Sequence, residues 1–116
     1  GIIVKIPLDS GWLTGKYHAE STFSDIRERW SREDIETRAQ LVEKVRSLLP
    51  VDSDIAQTAI AFCLAYDAVS TVIPGNKSLA QLRSNAESIN RPLSAALVQK
   101  LEQFYRSEVE ALNLPW

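Results

Sequence analysis

The 116-residue sequence contains no methionine, one cysteine and one histidine. With Cys63 alone, neither an internal disulfide framework nor a cysteine-rich zinc cluster can be assembled, which fits a reducing, cytoplasmic setting. With His18 alone, a Cys/His nucleophile pair and a multi-histidine metal site are equally out of reach, so no metal site is expected. Basic charge is not in surplus. Lys and Arg total 13 against 15 Asp and Glu, a formal charge of -2, and this removes the general electrostatic reason to expect nucleic acid or anionic lipid as partner. No apolar run approaches the roughly 20 residues that a membrane-crossing helix needs, and nothing at the N-terminus reads as a signal segment. A soluble chain is expected. At 45% hydrophobic and 24% charged, the composition is that of a globular domain rather than a disordered chain.

The sequence opens Gly1-Ile2-Ile3-Val4, already inside an apolar β-like run, so it is expected to be the tail of something longer. Ile2 to Leu8 reads as a buried strand closed by Pro7 and Asp9-Ser10-Gly11. From Gly11 to Trp30 the chain reads as a long, partly ordered loop carrying Trp12, Tyr17, Phe23 and Trp30. Ser31 and Asp34 form an N-terminal capping pattern, and Ile35, Arg38, Val42, Val45 and Leu49 recur at helical spacing up to Pro50. A second helix, capped by Asp52 or Ser53, runs from about Asp54 to Tyr66 and is apolar nearly all round. Cys63 lies in it as a small core hydrophobe. Val69–Ile73 is a second β-rich run, and Ser78-Leu79-Ala80-Gln81 has the form of a capping box opening a third helix whose apolar face is Leu79, Leu82, Ala86 and Ile89. Ser94 caps a fourth helix that turns Leu97, Leu101, Phe104 and Leu112 inward before Pro115 ends it.

Two strands separated by a long helical stretch cannot form a hairpin, so they pair in parallel. A two-stranded parallel sheet has both outer edges unpaired and its faces covered on one side at best. Either the strands belong to a larger α/β sheet or barrel, or the isolated segment associates with copies of itself through its open edges.

The second strand runs through Pro74-Gly75-Asn76-Lys77 into a capped helix start. That junction gathers backbone N–H groups, the positive end of a helix dipole, the Lys77 ammonium and the Ser78 hydroxyl, which together make an anion site suited to phosphate. Gln81 and Asn85, four residues apart, fall on one helix face where their amides can meet a polar ring such as adenine. Spacing alone leaves open the plainer reading of a simple cap with surface amides. The first strand also ends in a Gly-bearing loop, Pro7 to Tyr17, where backbone can approach a ligand and Lys16 can meet a second phosphate. Trp12, Tyr17 and Trp30 either line a ligand or anchor this loop, and His18 is an exposed loop histidine with no relay partner.

Taken together these stretches resemble the C-terminal portion of the aldo-keto reductase family. The resemblance is carried by Pro7-Leu8, Ser10-Gly11, Leu13-Thr14-Gly15-Lys16, then Ile73-Pro74-Gly75, Lys77, Gln81-Leu82, Asn85 and Pro92-Leu93-Ser94. It implies an α/β chain holding the last two strand units of a (β/α)8 barrel plus the C-terminal helix, residues 1–116 forming a single partial domain. Members of that family reduce aldehydes and ketones with NADPH. By the resemblance, Pro7, Leu8, Asp9, Ser10, Gly11 and Lys16 lie along the nicotinamide and pyrophosphate. Gly75, Lys77, Gln81, Ser84 and Asn85 hold the 2′-phosphate and adenine, with Lys77 favouring NADPH over NADH. Lys5 stands where the family often places a planar side chain, and Ile6 where it often places Ser. The family's catalytic Asp, Tyr, Lys and His have no counterpart here, so the resemblance implies an NADPH-binding portion that does not catalyse alone, its carbonyl substrate being met by the complete barrel. Two other outcomes stay open: an NADPH-binding regulatory or interaction subunit of the same family type, and an inactive truncated piece.

Overall fold

Among the described residues, each of the four α-helices begins where a short polar side chain accepts a hydrogen bond from its first turn. The computed structural model describes residues 1–115. Helix α1 (Arg32–Leu48) starts at a reciprocal capping box: Ser31 Oγ accepts from the Asp34 N–H at 3.1 Å, and Asp34 Oδ2 accepts from the Ser31 N–H at 2.9 Å. Helix α2 (Ile55–Leu64) is capped by Asp54, whose Oδ1 accepts from the Gln57 N–H at 2.9 Å. This corrects the expectation of Asp52 or Ser53. Asp52 is in the left-handed region (φ 64°), and Ser53 donates its hydroxyl to the Pro50 carbonyl at 2.7 Å, so both are spent on the turn before the helix. Helices α3 (Leu79–Glu87) and α4 (Ala95–Phe104) start at Ser78 and Ser94, whose hydroxyls accept from Gln81 and Leu97, both at 3.2 Å.

Strands β1 (Ile2–Lys5) and β2 (Val69–Ile73) pair in parallel with Val4 opposite Val72 and Lys5 opposite Ile73, and an irregularity lies between Ile2 and Ile3. The order strand, helix, helix, strand, helix, helix is therefore the expected one, and the chain is an α/β unit with a two-stranded parallel sheet. The first strand is shorter than its apolar run. It stops at Lys5 because Ile6 turns the chain into the left-handed region (φ 56°), which breaks the extended ladder. The strands are also not buried as expected: Ile2, Ile3 and Ile73 are all more than half exposed, since only α2 among the described helices packs closely on the sheet.

The core sits beside the sheet. Trp12, Trp30, Ile35, Ala39, Val42 and Ile55 are buried together, with Leu13, Tyr17, Phe23 and Val45 packed against them. The segment from Gly11 to Trp30 is consequently not a loose loop. It is folded onto α1 through a chain of aromatic edges, with Trp12–Tyr17 centroids 5.5 Å apart, Tyr17–Phe23 5.0 Å and Phe23–Trp30 5.6 Å. Two other expectations are not met. Leu79, Leu82 and Ile89 are at least half exposed, so the apolar face of α3 has no partner among the described residues. Helix α4 ends at Phe104 and continues as a wider π turn (Tyr105–Val109) and a tight 3₁₀ turn (Glu110–Leu112), which leaves Leu112 exposed while Leu97, Leu101 and Phe104 are half-buried.

Candidate functional site

Both strands end at the same place. Beyond Lys5 and Ile73 the two following loops enclose a cleft of about 600 Å³, within the range of about 300–1,000 Å³ usual for small-molecule sites. The first loop contributes Pro7, Leu8, Ser10, Gly11 and Lys16 to its lining. The second contributes Gly75, Lys77, Gln81, Ser84 and Asn85. Every residue that the resemblance assigns to the dinucleotide thus reaches the cleft except Asp9, whose carboxylate is held by Arg38 at 2.8 Å; Ser78, read from the sequence as part of the anion site, does not line it.

The lining is electrostatically one-sided. Lys5, Lys16, Arg27 and Lys77 are on it, and none of the described lining residues is acidic, although the whole chain carries a formal charge of -2. Cations concentrated in one concave surface of an otherwise acidic chain raise the local concentration of anions and retain them.

Hydrogen bonds set the shape of each wall. On the first, Asp9, Ser10 and Gly11 are three consecutive left-handed residues, with φ of 46°, 54° and 102°. Arg27 Nε donates to the Ser10 carbonyl at 2.8 Å, and Thr14 Oγ1 donates to the Gly11 carbonyl at 2.6 Å. On the second wall, Gln81 Oε1 accepts from the Lys77 N–H at 2.7 Å, so the amide protons of Lys77 and Gln81 are satisfied within the turn rather than left open for an anion. Asn85 Nδ2 donates to Asn76 Oδ1 at 2.8 Å, and Asn76 Nδ2 donates to the Pro74 carbonyl at 3.0 Å. These bonds orient both amides: Gln81 keeps its Nε2 donor and Asn85 its Oδ1 acceptor. Ser84 is fixed from α2, where Gln57 Nε2 donates to its carbonyl at 2.9 Å and its hydroxyl at 3.2 Å.

Residues 1–106 match the family model described as "Aldo/keto reductase family". The chain belongs to the aldo/keto reductase family. A relative in Arabidopsis thaliana, described as "Probable voltage-gated potassium channel subunit beta", is 32% identical over 120 residues, covering 93% of this chain and 36% of the relative. The chain therefore spans little more than a third of that relative's length. The aldo/keto reductase assignment agrees with parallel strands whose C-terminal ends meet at one cleft, the end at which barrel enzymes of this architecture place ligands.

The remaining candidates fall elsewhere. Trp12, Tyr17 and Trp30 do not line the cleft, and their aromatic packing makes them anchors of the first loop. His18 is exposed and meets Glu20 at 3.1 Å; backbone and His18 hydrogen bonds hold the Glu20 carboxyl below the usual range. Cys63 is half-buried in an apolar groove with Phe62 and Tyr66, and burial pushes its thiol above the usual range, which disfavours the reactive thiolate. Trp116, whose place at the end of the sequence would make it a candidate for the carbonyl pocket of a complete barrel, lies outside the described residues. Among the described residues no helix is long and apolar enough to cross a membrane, and no group of three His, Cys, Asp or Glu is placed to hold a metal. Arg27, Thr14 and Asn76 carry no assigned role in the sequence reading, although Thr14 lies in the Leu13–Lys16 motif and Asn76 in the turn after the second strand. Arg27 has a local signal of its own, the Asp25 side chain that accepts its N–H at 2.9 Å and caps a short turn.

Proposed function

We propose that this chain is the NADPH-binding, C-terminal part of an aldo/keto reductase barrel, its two parallel strands being the last two of eight. The observation that carries the proposal is the convergence of two loops, distant in sequence, on one cleft with a wholly cationic set of charged lining residues and a pair of oriented amides. A dinucleotide has the matching chemistry: phosphates for the cations, and an adenine edge that offers both an acceptor and an amino donor to the Gln81 Nε2 and Asn85 Oδ1 pair. Lys77 belongs to the 2′-phosphate, because an ammonium distinguishes that dianion from the neutral hydroxyl of NADH. Lys16 and Arg27 belong to the pyrophosphate. Gly75 keeps the second wall free of a side chain; at Gly11 (φ 102°) an added Cβ would meet the Tyr17 ring at 2.9 Å, so glycine there is set by the packing of the first loop.

When bound, NADPH supplies the hydride for carbonyl reduction. The residues of this chain bind and orient the dinucleotide. On this reading they do not supply the proton for the carbonyl oxygen: Tyr17 is packed in the aromatic cluster, His18 faces solvent beside Glu20, and no tyrosine or histidine is among the described lining residues. On this proposal the acid-base groups and most of the carbonyl pocket come from the rest of the barrel, and the chain does not catalyse alone.

A second reading has a particular observation behind it. The Arabidopsis relative is described as a channel beta subunit, and an NADPH-binding barrel that serves a partner protein needs the same cleft. The two readings separate on whether the complete barrel oxidises NADPH when a carbonyl compound is added.

The test of the cofactor assignment is a fluorescence titration of the complete protein with NADPH and NADH. Lys77→Ala is expected to raise the NADPH dissociation constant by about tenfold or more and the NADH constant by less than about threefold, as removal of one charge-assisted partner predicts. Equal losses for the two dinucleotides would overturn the 2′-phosphate assignment.

A further inference from the structure

Arg38 does something the cleft itself does not explain. It lies on α1, outside the lining, and is only 5% exposed. Its Nη1 donates to Asp9 Oδ2 at 2.8 Å, its Nη2 donates to the Pro115 carbonyl, and its guanidinium sits 4.8 Å from the centre of the Trp30 ring. Nε has no partner among the described residues. A buried guanidinium is tolerated only where acceptors compensate it, and here the acceptors come from opposite ends of the described chain.

The carboxylate it holds belongs to the first of the three left-handed residues. A left-handed conformation is unfavourable for Asp and Ser, and such residues persist when their surroundings over-determine them. Each of the three has its own hold: Arg38 on the Asp9 carboxylate, Arg27 on the Ser10 carbonyl and Thr14 on the Gly11 carbonyl. The latter two partners line the cleft and Arg38 does not. We propose that Arg38 is a positioning residue: by holding Asp9 it keeps the Asp9–Gly11 backbone in the shape that forms one wall of the cleft, and by sharing the same guanidinium with the Pro115 carbonyl it couples the tail to that wall. Asp9 then acts through the loop's shape and not by touching ligand. The part of this inference that concerns affinity rests on the dinucleotide reading above; the part that concerns the loop does not.

Two variants of the complete protein test it, Arg38→Lys and a chain ended after Asn113. An ammonium keeps the charge but cannot reach two acceptors as a planar fork does, and the shortened chain removes the tail carbonyl with Arg38 intact. The reporters are the backbone amides of Asp9, Gly11 and Leu13, which donate to the Ile6 and Leu8 carbonyls at 2.9 to 3.1 Å. In both variants their hydrogen exchange is expected to accelerate by about tenfold while amides of α3 stay unchanged, as local opening requires. NADPH and NADH are expected to weaken by the same factor, unlike the selective loss in Lys77→Ala. Unchanged exchange at these amides overturns the proposal, as does a uniform loss of protection across the helices with unaltered dissociation constants, which is the signature of a purely structural arginine. If the unmodified protein binds neither dinucleotide, the cofactor reading fails, and the exchange pattern still decides the role of Arg38.

Discussion

Two glycines separate what holds the loops from what the cleft accommodates. Gly15 is left-handed (φ +74°), and a Cβ there would lie 2.6 Å from Arg46 Nη2 and 3.3 Å from Ile55 Cγ2. Gly15→Ala is therefore expected to destabilise by about 1–3 kcal/mol, the usual range for enforced left-handed strain. Gly75 meets nothing within 4 Å of an added Cβ and is not left-handed. Gly75→Ala is expected to leave stability within about 0.5 kcal/mol of the parent, as for substitutions clear of packing; on the proposed reading it is also expected to weaken dinucleotide binding, since Gly75 lines the cleft. Thermal melting combined with titration checks the pair; a Gly75→Ala protein that binds as tightly as the parent would remove Gly75 from the site. The distinction also shows why site residues were readable to different degrees. Lys77, Gln81 and Asn85 form a local pattern on one turn and its helix, whereas the partner of Asp9 is 29 positions away on a helix face that reads only as core spacing. The family resemblance puts Asp9 along the ligand wall, and the tertiary structure turns its carboxylate to Arg38.

At the level of elements, one phenol links the end of α2 to α4. Tyr66, two residues past the end of α2, donates its hydroxyl to Glu102 Oε1 on α4 at 2.6 Å. Burial, then the hydrogen bond to Glu102 and its negative charge, push the Tyr66 hydroxyl up from 10.0 to about 12. Because the folded state raises this value, the stabilisation is fully present below about pH 10 and is lost as pH climbs from there through about 12. Tyr66→Phe is expected to lower stability below pH 10 and to flatten the decline above it. Urea midpoints at a series of alkaline pH values make the comparison, and parallel declines in parent and variant would exclude Tyr66 as the source. The helices themselves were legible because a cap is a local device: Ser31, Ser78 and Ser94 all act where the pattern puts them. What was not legible was termination. The apolar run through Ile6 promised a longer strand, and the 3.6-residue spacing beyond Phe104 promised a longer helix. Ile6 instead enters the left-handed region and residues 105–109 widen into a π turn, changes that depend on packing around them and leave the hydrophobic pattern unaltered.

The molecule as a whole is folded but incompletely covered. Its radius of gyration is 14.2 Å, close to the value of about 13 Å for a compact domain of some 100 residues, and its aromatic core is closed around Trp12. The sheet does not share this closure. Ile2 is 52% exposed, Ile3 65% and Ile73 56%, on strands that among the described residues have only each other as partners. Unpaired N–H and C=O groups along such an edge, next to exposed β-branched side chains, form a template for a further strand. In a complete barrel the neighbouring strands occupy those edges. The 116-residue chain alone has no such neighbours, so it is expected to associate with further copies of itself through the sheet, and Ile3→Lys, which sets a charge beside the open edge, is expected to shift it toward smaller species. Sedimentation velocity over a concentration series reads both effects. A compact monomer at every concentration would show that the open edges are inert, and would remove the physical reason for placing these strands inside a larger sheet.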